Sequence, residues 1–189
     1  EAATAEWARL LTKETVAESL GLNNPKVMFP GSFNPLHRGH LAMAEHASKT
    51  LGEEVTFEIC VDNVDKPALG YYDLQKRSAQ FVEHSLWLTR LPTFIEKARQ
   101  FPNTVFVVGI DTLTRIGMAR YYTSDTDMRL AFAEFARLGI RFLVFGRESQ
   151  GTFITLANSE VPGALRDLCN EVPEGDFRVD LSSSTLRNS

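Results

Sequence analysis

Lys26-Val27-Met28-Phe29-Pro30-Gly31-Ser32-Phe33-Asn34-Pro35-Leu36-His37-Arg38-Gly39-His40 is the stretch that decides the fold. Its first five residues are a short apolar run closed by Pro30-Gly31, the pattern of a buried strand. A turn rich in glycine and proline follows. It leads into a helix predicted from about Gly39, where Leu41, Ala44, Ala47 and Leu51 recur at helical spacing before Gly52 stops it. Strand, shaped turn and helix make the first half of a βαβ unit.

The pattern continues outward. Val55 to Val61 (VTFEICV) reads as a second strand. Asp73 to Leu88 reads as a helix through Leu74, Ala79, Phe81, Val82 and Leu86, with Asp73 as N-cap and Trp87 in its core pattern. A shorter helix is predicted over Pro92 to Arg99. Thr104 to Ile110 (TVFVVGI) is the strongest strand. Asp127 to Leu138 reads as a helix stopped by Gly139, Ile140 to Phe145 as a strand, and Phe177 to Leu181 as a last strand. A helix is predicted to begin at Ser182. Alternation of this kind implies an α/β fold: a doubly wound, mostly parallel sheet of five to six strands, with helices on both faces. Continuous apolar runs fit strands covered on both sides. Ligands of such sheets bind beyond the carboxyl ends of the strands, at the switch point. The positions to inspect therefore follow Pro30, Ile110 and Leu181.

Composition narrows the function classes. The chain has 189 residues, 43% hydrophobic and 23% charged, an ordinary globular balance. A chain of this size buries about 70% of its unfolded surface, enough for a core without staples. The net charge of −4 disfavours a dedicated nucleic-acid binder. No apolar run is long enough to cross a membrane. Cys60 and Cys169 are too few for a disulfide framework or a cysteine zinc cage, and they read as buried small hydrophobes. The expected compartment is reducing and cytoplasmic. Residues 1–22 read as an N-terminal helical extension without a signal-peptide core. Trp7, Leu10, Leu11 and Ala17 fall near one face, and Glu14 breaks the stripe. Residues 23–189 form the main domain.

The turn after the first strand carries chemistry. A helix start leaves backbone N–H groups unpaired and positively polarised. His37 and His40, one turn apart, can face the same side, and Gly39 between them allows close approach to the backbone. Two imidazoles, a helix N-terminus and nearby Arg38 make a phosphate site. The helix terminus alone contributes about 0.3–1 kcal/mol, so the side chains are needed to hold a triphosphate. Protein-held metal is not expected, because no further His or Cys sits at ligand spacing.

The string GSFNPLHRGH resembles the G-x-F-x-P-x-H-x-G-H motif of the nucleotidyltransferase superfamily, and is closest to its nicotinamide and nicotinate mononucleotide adenylyltransferases. The resemblance implies a Rossmann-like fold. It also implies that His37 and His40 grip ATP phosphates, with Gly31, Ser32, Phe33 and Gly39 around them. Leu181-Ser182-Ser183-Ser184-Thr185-Leu186-Arg187 is similar to the family's I-S-S-T-x-x-R motif, with Leu for Ile and Ser for Thr. It implies a second anion site in which Ser182, Ser183 and Ser184 line a helix start and Arg187 forks phosphate oxygens. The family continues this helix, whereas Arg187 is followed here by Asn188 and Ser189. Gly109 and Asp111 match a G-x-D motif used at the nucleotide ribose; read without the family, Asp111 is the N-cap of the next helix. Arg147 matches a basic residue near adenine.

The acceptor side is less regular. Lys66 aligns with a residue that points at substrate phosphates, and Thr93 with a segment near the acceptor base. Nicotinamide-type members often place a Trp soon after the aspartate; this chain has Arg120-Tyr121-Tyr122, and Tyr121 or Tyr122 would stack in its place. The implied reaction is AMP transfer from ATP to a mononucleotide, with Mg²⁺ carried on the ATP phosphates and pyrophosphate released. Catalysis falls to His37, His40 and Arg187. ATP and a small phosphorylated acceptor are the partners; family members differ in assembly, which leaves a homo-oligomer open. Other acceptors, such as phosphopantetheine or a phospho-alcohol with an adenylyl or cytidylyl donor, are the first alternative. A regulatory module that binds nucleotide without catalysis is the second.

Overall fold

The computed structural model describes residues 5–21, 24–65 and 67–177. Helix α1 (Ala5–Leu11) precedes strand β1 (Ala17–Leu20). Strand β2 (Val27–Pro30) leads to helix α2 (Arg38–Leu51) and strand β3 (Val55–Cys60). Helix α3 (Tyr71–Ser78), strand β4 (Leu86–Thr89) and helix α4 (Phe94–Gln100) follow. Strand β5 (Val105–Gly109) runs directly into helix α5 (Ile110–Ile116). A 3-10 turn over Ala119–Tyr121 precedes helix α6 (Asp125–Arg137) and strand β6 (Arg141–Phe145). The hairpin of β7 (Arg147–Ser149) and β8 (Thr152–Ile154), helix α7 (Gly163–Arg166) and strand β9 (Cys169–Val172) complete the described chain.

Seven strands form one sheet in the order β1-β4-β3-β2-β5-β6-β9, parallel except for the antiparallel edge strand β1. From β2 the chain first builds outward through β3 and β4, then returns to β5 and builds the other way. The switch point therefore lies between β2 and β5. This is the expected Rossmann-like architecture, with more strands than expected.

Period-two alternation divides each strand between two cores. Val27 and Phe29 of β2, and Phe57 and Ile59 of β3, pack with Ala44 and Ala47 of α2 and Leu74 of α3. Met28 of β2, and Phe106 and Val108 of β5, pack on the other face with Ala98 of α4, Leu113 of α5 and Phe135 of α6. Phe57 touches Phe29, Phe33 and Phe81. Truncating it to Ala costs about 3–5 kcal/mol by the usual rule for buried aromatics.

Four expectations change. The helical extension foreseen across residues 1–22 has its helix end at Leu11, and Ala17–Leu20 instead pairs with β4, Ala17 opposite Thr89. The helix foreseen from Asp73 to Leu88 ends at Ser78. Its N-cap is Gly70 without a side-chain cap bond, and Leu86–Thr89 is a central strand on which Trp87 packs edge-on against Phe101. Strand β9 was not foreseen. Phe177 lies outside any strand, and the rest of the segment expected as the last strand lies outside the described residues. Cys60 and Cys169 are only half-buried, yet burial raises both thiols, Cys169 to about 12, so neither is a ready thiolate.

Candidate active site

A cleft of about 570 Å³ opens at the carboxyl ends of β2, β3 and β5, at the switch point. Among its lining residues are Gly31, Ser32, Phe33, His37, Gly39, His40, Gly109, Asp111 and Arg147. Stretches far apart in sequence thus meet in one place because parallel strands deliver their following loops to the same sheet edge.

The loop from Gly31 to Leu36 is held from below and from the side. Phe33 adopts a left-handed backbone (φ 41°) that only a well-fixed side chain sustains. Its buried ring makes edge contacts with Phe29, Phe57, Phe81 and His40. A Cβ on Gly31 would lie 2.6 Å from that ring, so Gly31 is glycine because Phe33 folds under it. From α3, the Arg77 guanidinium donates to the Ser32 carbonyl at 2.9 Å. Gln80 accepts the Leu36 N–H at 2.8 Å and donates to the Phe33 carbonyl at 3.0 Å. Phe33, expected among the ATP contacts, lines the cleft and also supports the loop and the His40 ring.

The two histidines cap α2 reciprocally. His37 is the N-cap, and its Nδ1 accepts the Gly39 N–H at 3.1 Å. His40 sits at the third helical position, and its Nδ1 accepts the His37 N–H at 3.4 Å. The rings stack with centroids 3.7 Å apart. Accepting at Nδ1 leaves Nε2 as the protonated nitrogen of each neutral ring. Burial and the neighbouring His37 push His40 down to about 4, and burial lowers His37. Near neutral pH both rings are therefore uncharged. The Gly39 N–H is already taken by His37, so the rings rather than that amide would meet a ligand. Arg38 is exposed and does not line the cleft.

Across the switch point, Gly109 and not Asp111 caps α5; Asp111 lies in its first turn. The Asp111 carboxylate pairs with Arg147 at 2.5 Å, both about half exposed at the cleft wall. These two residues, expected at the ribose and the base, are thus neighbours.

The acceptor-side expectations fare differently. Thr93 caps α4, and its hydroxyl and N–H are both engaged with Glu96; it does not line the cleft. Tyr122 packs edge-on against Phe132 and donates its hydroxyl to the Ile116 carbonyl, with burial raising that hydroxyl to about 12. Tyr121 lies at the rim, where its hydroxyl meets Arg115, Arg120 and Asp65. Neither tyrosine lines the cleft, so the structure offers no tyrosine stacking platform there. Lys66, Ser182, Ser183, Ser184 and Arg187 lie outside the described residues. Among the described residues no cluster of three or more His, Cys, Asp or Glu could hold a metal ion, and no helix is long and apolar enough to cross a membrane.

Sequence reasoning missed Arg77, Gln80 and the buried pair Glu58 and Lys97, all but Gln80 lining the cleft. A signal existed for one of them. Glu58 interrupts an otherwise apolar strand, and a carboxylate there must find a partner.

The family model described as cytidylyltransferase-like matches residues 28–189. The chain belongs to that family. The match starts inside β2, runs through the paired histidines and Gly109, and extends over the serine-rich end. Membership implies a nucleotidyltransferase. No curated protein matches the chain.

Proposed function

We propose that this nucleotidyltransferase transfers AMP from Mg-ATP to nicotinamide or nicotinic acid mononucleotide, giving a dinucleotide and pyrophosphate. The stacked pair of neutral histidines at the switch point carries the reading. Its sequence context, SFNPLH, resembles that of the pyridine-mononucleotide branch of the superfamily.

The chemistry asks little of the protein beyond placement. An oxygen of the acceptor phosphate attacks the α-phosphorus, the new P–O bond forms, and the bond to the β-phosphate bridging oxygen breaks. The acceptor is already an anion, so no general base is required. The rate then comes from alignment and from neutralising charge on the leaving pyrophosphate. The Nε2–H groups of His37 and His40 are donors for the β- and γ-phosphates. Arg187, with Ser182, Ser183 and Ser184, supplies the second anion contact that the family motif implies. Asp111 would accept from ribose hydroxyls, and Arg147 would shift from it toward the base. Lys66 would meet acceptor phosphate. Magnesium arrives on the nucleotide and keeps most of its waters, so it asks for few protein ligands.

The family's description favours one second reading, a cytidylyl donor with another phosphorylated acceptor. The deciding experiment pairs ATP and CTP with both pyridine mononucleotides, phosphopantetheine and a phospho-alcohol, and identifies products by mass spectrometry. A pyridine dinucleotide from ATP is expected. Product only from CTP or only with another acceptor overturns the proposal; nucleotide binding with no product favours a regulatory module.

A further inference from the structure

One arm of the cleft is not used by the histidines or by the Asp111–Arg147 pair. It runs between the ends of β3 and β5 and helix α4. Pro92, Phe94, Val108 and Cys60, which stand at those elements, are among the residues lining the cleft, and Phe94 is only half-buried. Glu58 and Lys97 also line it, 1% and 3% exposed. The Lys97 Nζ donates to Glu58 Oε1 at 2.7 Å, and the Thr89 hydroxyl donates to the same oxygen. Among the described residues, both bonds to Glu58 fall on Oε1, so Oε2 keeps its acceptor capacity. Lys97 spends one of its three N–H donors. An apolar slot with a few convergent polar groups is the usual form of a small-molecule subsite. Taking two charges out of water seldom stabilises a fold more than an apolar pair would. A second use for the pair is therefore to be sought in the cleft.

We infer that this arm receives the ring of the acceptor and that Glu58 and Lys97 together select a ring bearing a primary carboxamide over one bearing a carboxylate. The inference rests on the proposed pyridine-mononucleotide acceptor and deepens it. Phe94 gives the ring an aromatic neighbour. The amide carbonyl accepts from Lys97, and the amide NH₂ donates to Glu58 Oε2. A carboxylate in the same place has no proton for Glu58. It also meets a like charge, while the Lys97 charge is already answered. The nucleotide's phosphate then lies toward α2, and the nucleotide donor takes the half of the sheet with Gly109, Asp111 and Arg147.

The test is kcat/KM for nicotinamide mononucleotide and for nicotinic acid mononucleotide with Mg-ATP, read as pyrophosphate release. Sites built to hydrogen-bond a substrate group reject its analogue by 10⁴–10⁵ at best, so a wild-type preference for the amide of about 100-fold or more is expected. Glu58→Gln removes the like charge and frees Lys97; the preference should collapse or invert. Glu58→Gln/Lys97→Met keeps the volume without charge and should leave little preference. A wild-type preference within about threefold, or for the acid, overturns the inference while the acceptor reading stands. So does an amide preference that survives Glu58→Gln. Turnover with neither mononucleotide overturns the acceptor reading and the inference with it. The wild-type ratio is decisive by itself should a variant fail to fold.

Discussion

His37 and His40 complete each other's hydrogen bonds across the first turn of α2: each ring's Nδ1 accepts a backbone N–H, of Gly39 and of His37 respectively, and the rings stack 3.7 Å apart. The two side chains that cap α2 are thus the same two that are proposed as phosphate donors. The roles separate in His37→Asn. Asparagine is as good an N-cap as any residue, so the midpoint of thermal unfolding should move little. The ring donor is lost, and removal of one preorganised donor costs about 10²–10³ in kcat. An activity loss matched by an equal loss of fold would assign His37 to structure alone.

The lowered histidines make stability depend on pH. His40 falls from its ordinary 6.5 to about 4 in the folded protein, so the unfolded chain binds more protons between those values. Stability is full above about pH 6.5 and declines as pH falls toward about 4. His37, also lowered, acts in the same direction. Thermal unfolding followed from pH 7.5 to 4.5 should therefore show a steeper loss for the wild type than for His40→Asn. Parallel curves would contradict the buried, neutral pair.

Gly31→Ala sets a Cβ 2.6 Å from the Phe33 ring. That ring is wedged among Phe29, Phe57, Phe81 and His40 and has nowhere to retreat. Overpacking of this kind costs about 1–3 kcal/mol, visible as a lower urea midpoint. The displaced Phe33 should also weaken ATP binding measured by calorimetry, because His40 leans on it. An unchanged midpoint would show that the loop is looser than its contacts.

Much of the architecture was legible because buried parallel strands are written as continuous apolar runs: β2, β3, β5 and β6 were all foreseen. The failures have physical reasons. Leu74, Phe81, Val82 and Leu86 fit a helical period, yet Phe81 reaches the core from a turn and Val82 is exposed. No Gly or Pro marks the break between α3 and β4. Strand β1 (AESL) has no apolar run because it is an edge, and β9 (CNEV) is only partly buried. Local motifs pointed to the histidines, Gly109, Asp111 and Arg147, which line one cleft. Tertiary packing decided the others. Tyr122 is claimed by Phe132, Thr93 by its helix cap, and Lys97 sits on α4 with nothing nearby in sequence to announce Glu58.

Arg147 and Asp111 form an ion pair that is about half exposed, and such pairs contribute under about 1 kcal/mol. Arg147→Ala should therefore leave unfolding almost unchanged. A charged hydrogen bond to nucleotide is worth about 1.5–3 kcal/mol, so KM for ATP should rise by tenfold or more. A large stability loss with an unaltered KM would place the pair in the scaffold instead.

The central claim is that the cleft performs nucleotidyl transfer to a pyridine mononucleotide. Its most direct test is to follow pyrophosphate and dinucleotide together, with the purified protein, Mg-ATP and each mononucleotide. One pyrophosphate per dinucleotide, in amounts proportional to enzyme and abolished by omitting either substrate, is the expected result. Bound ATP with neither product would contradict it.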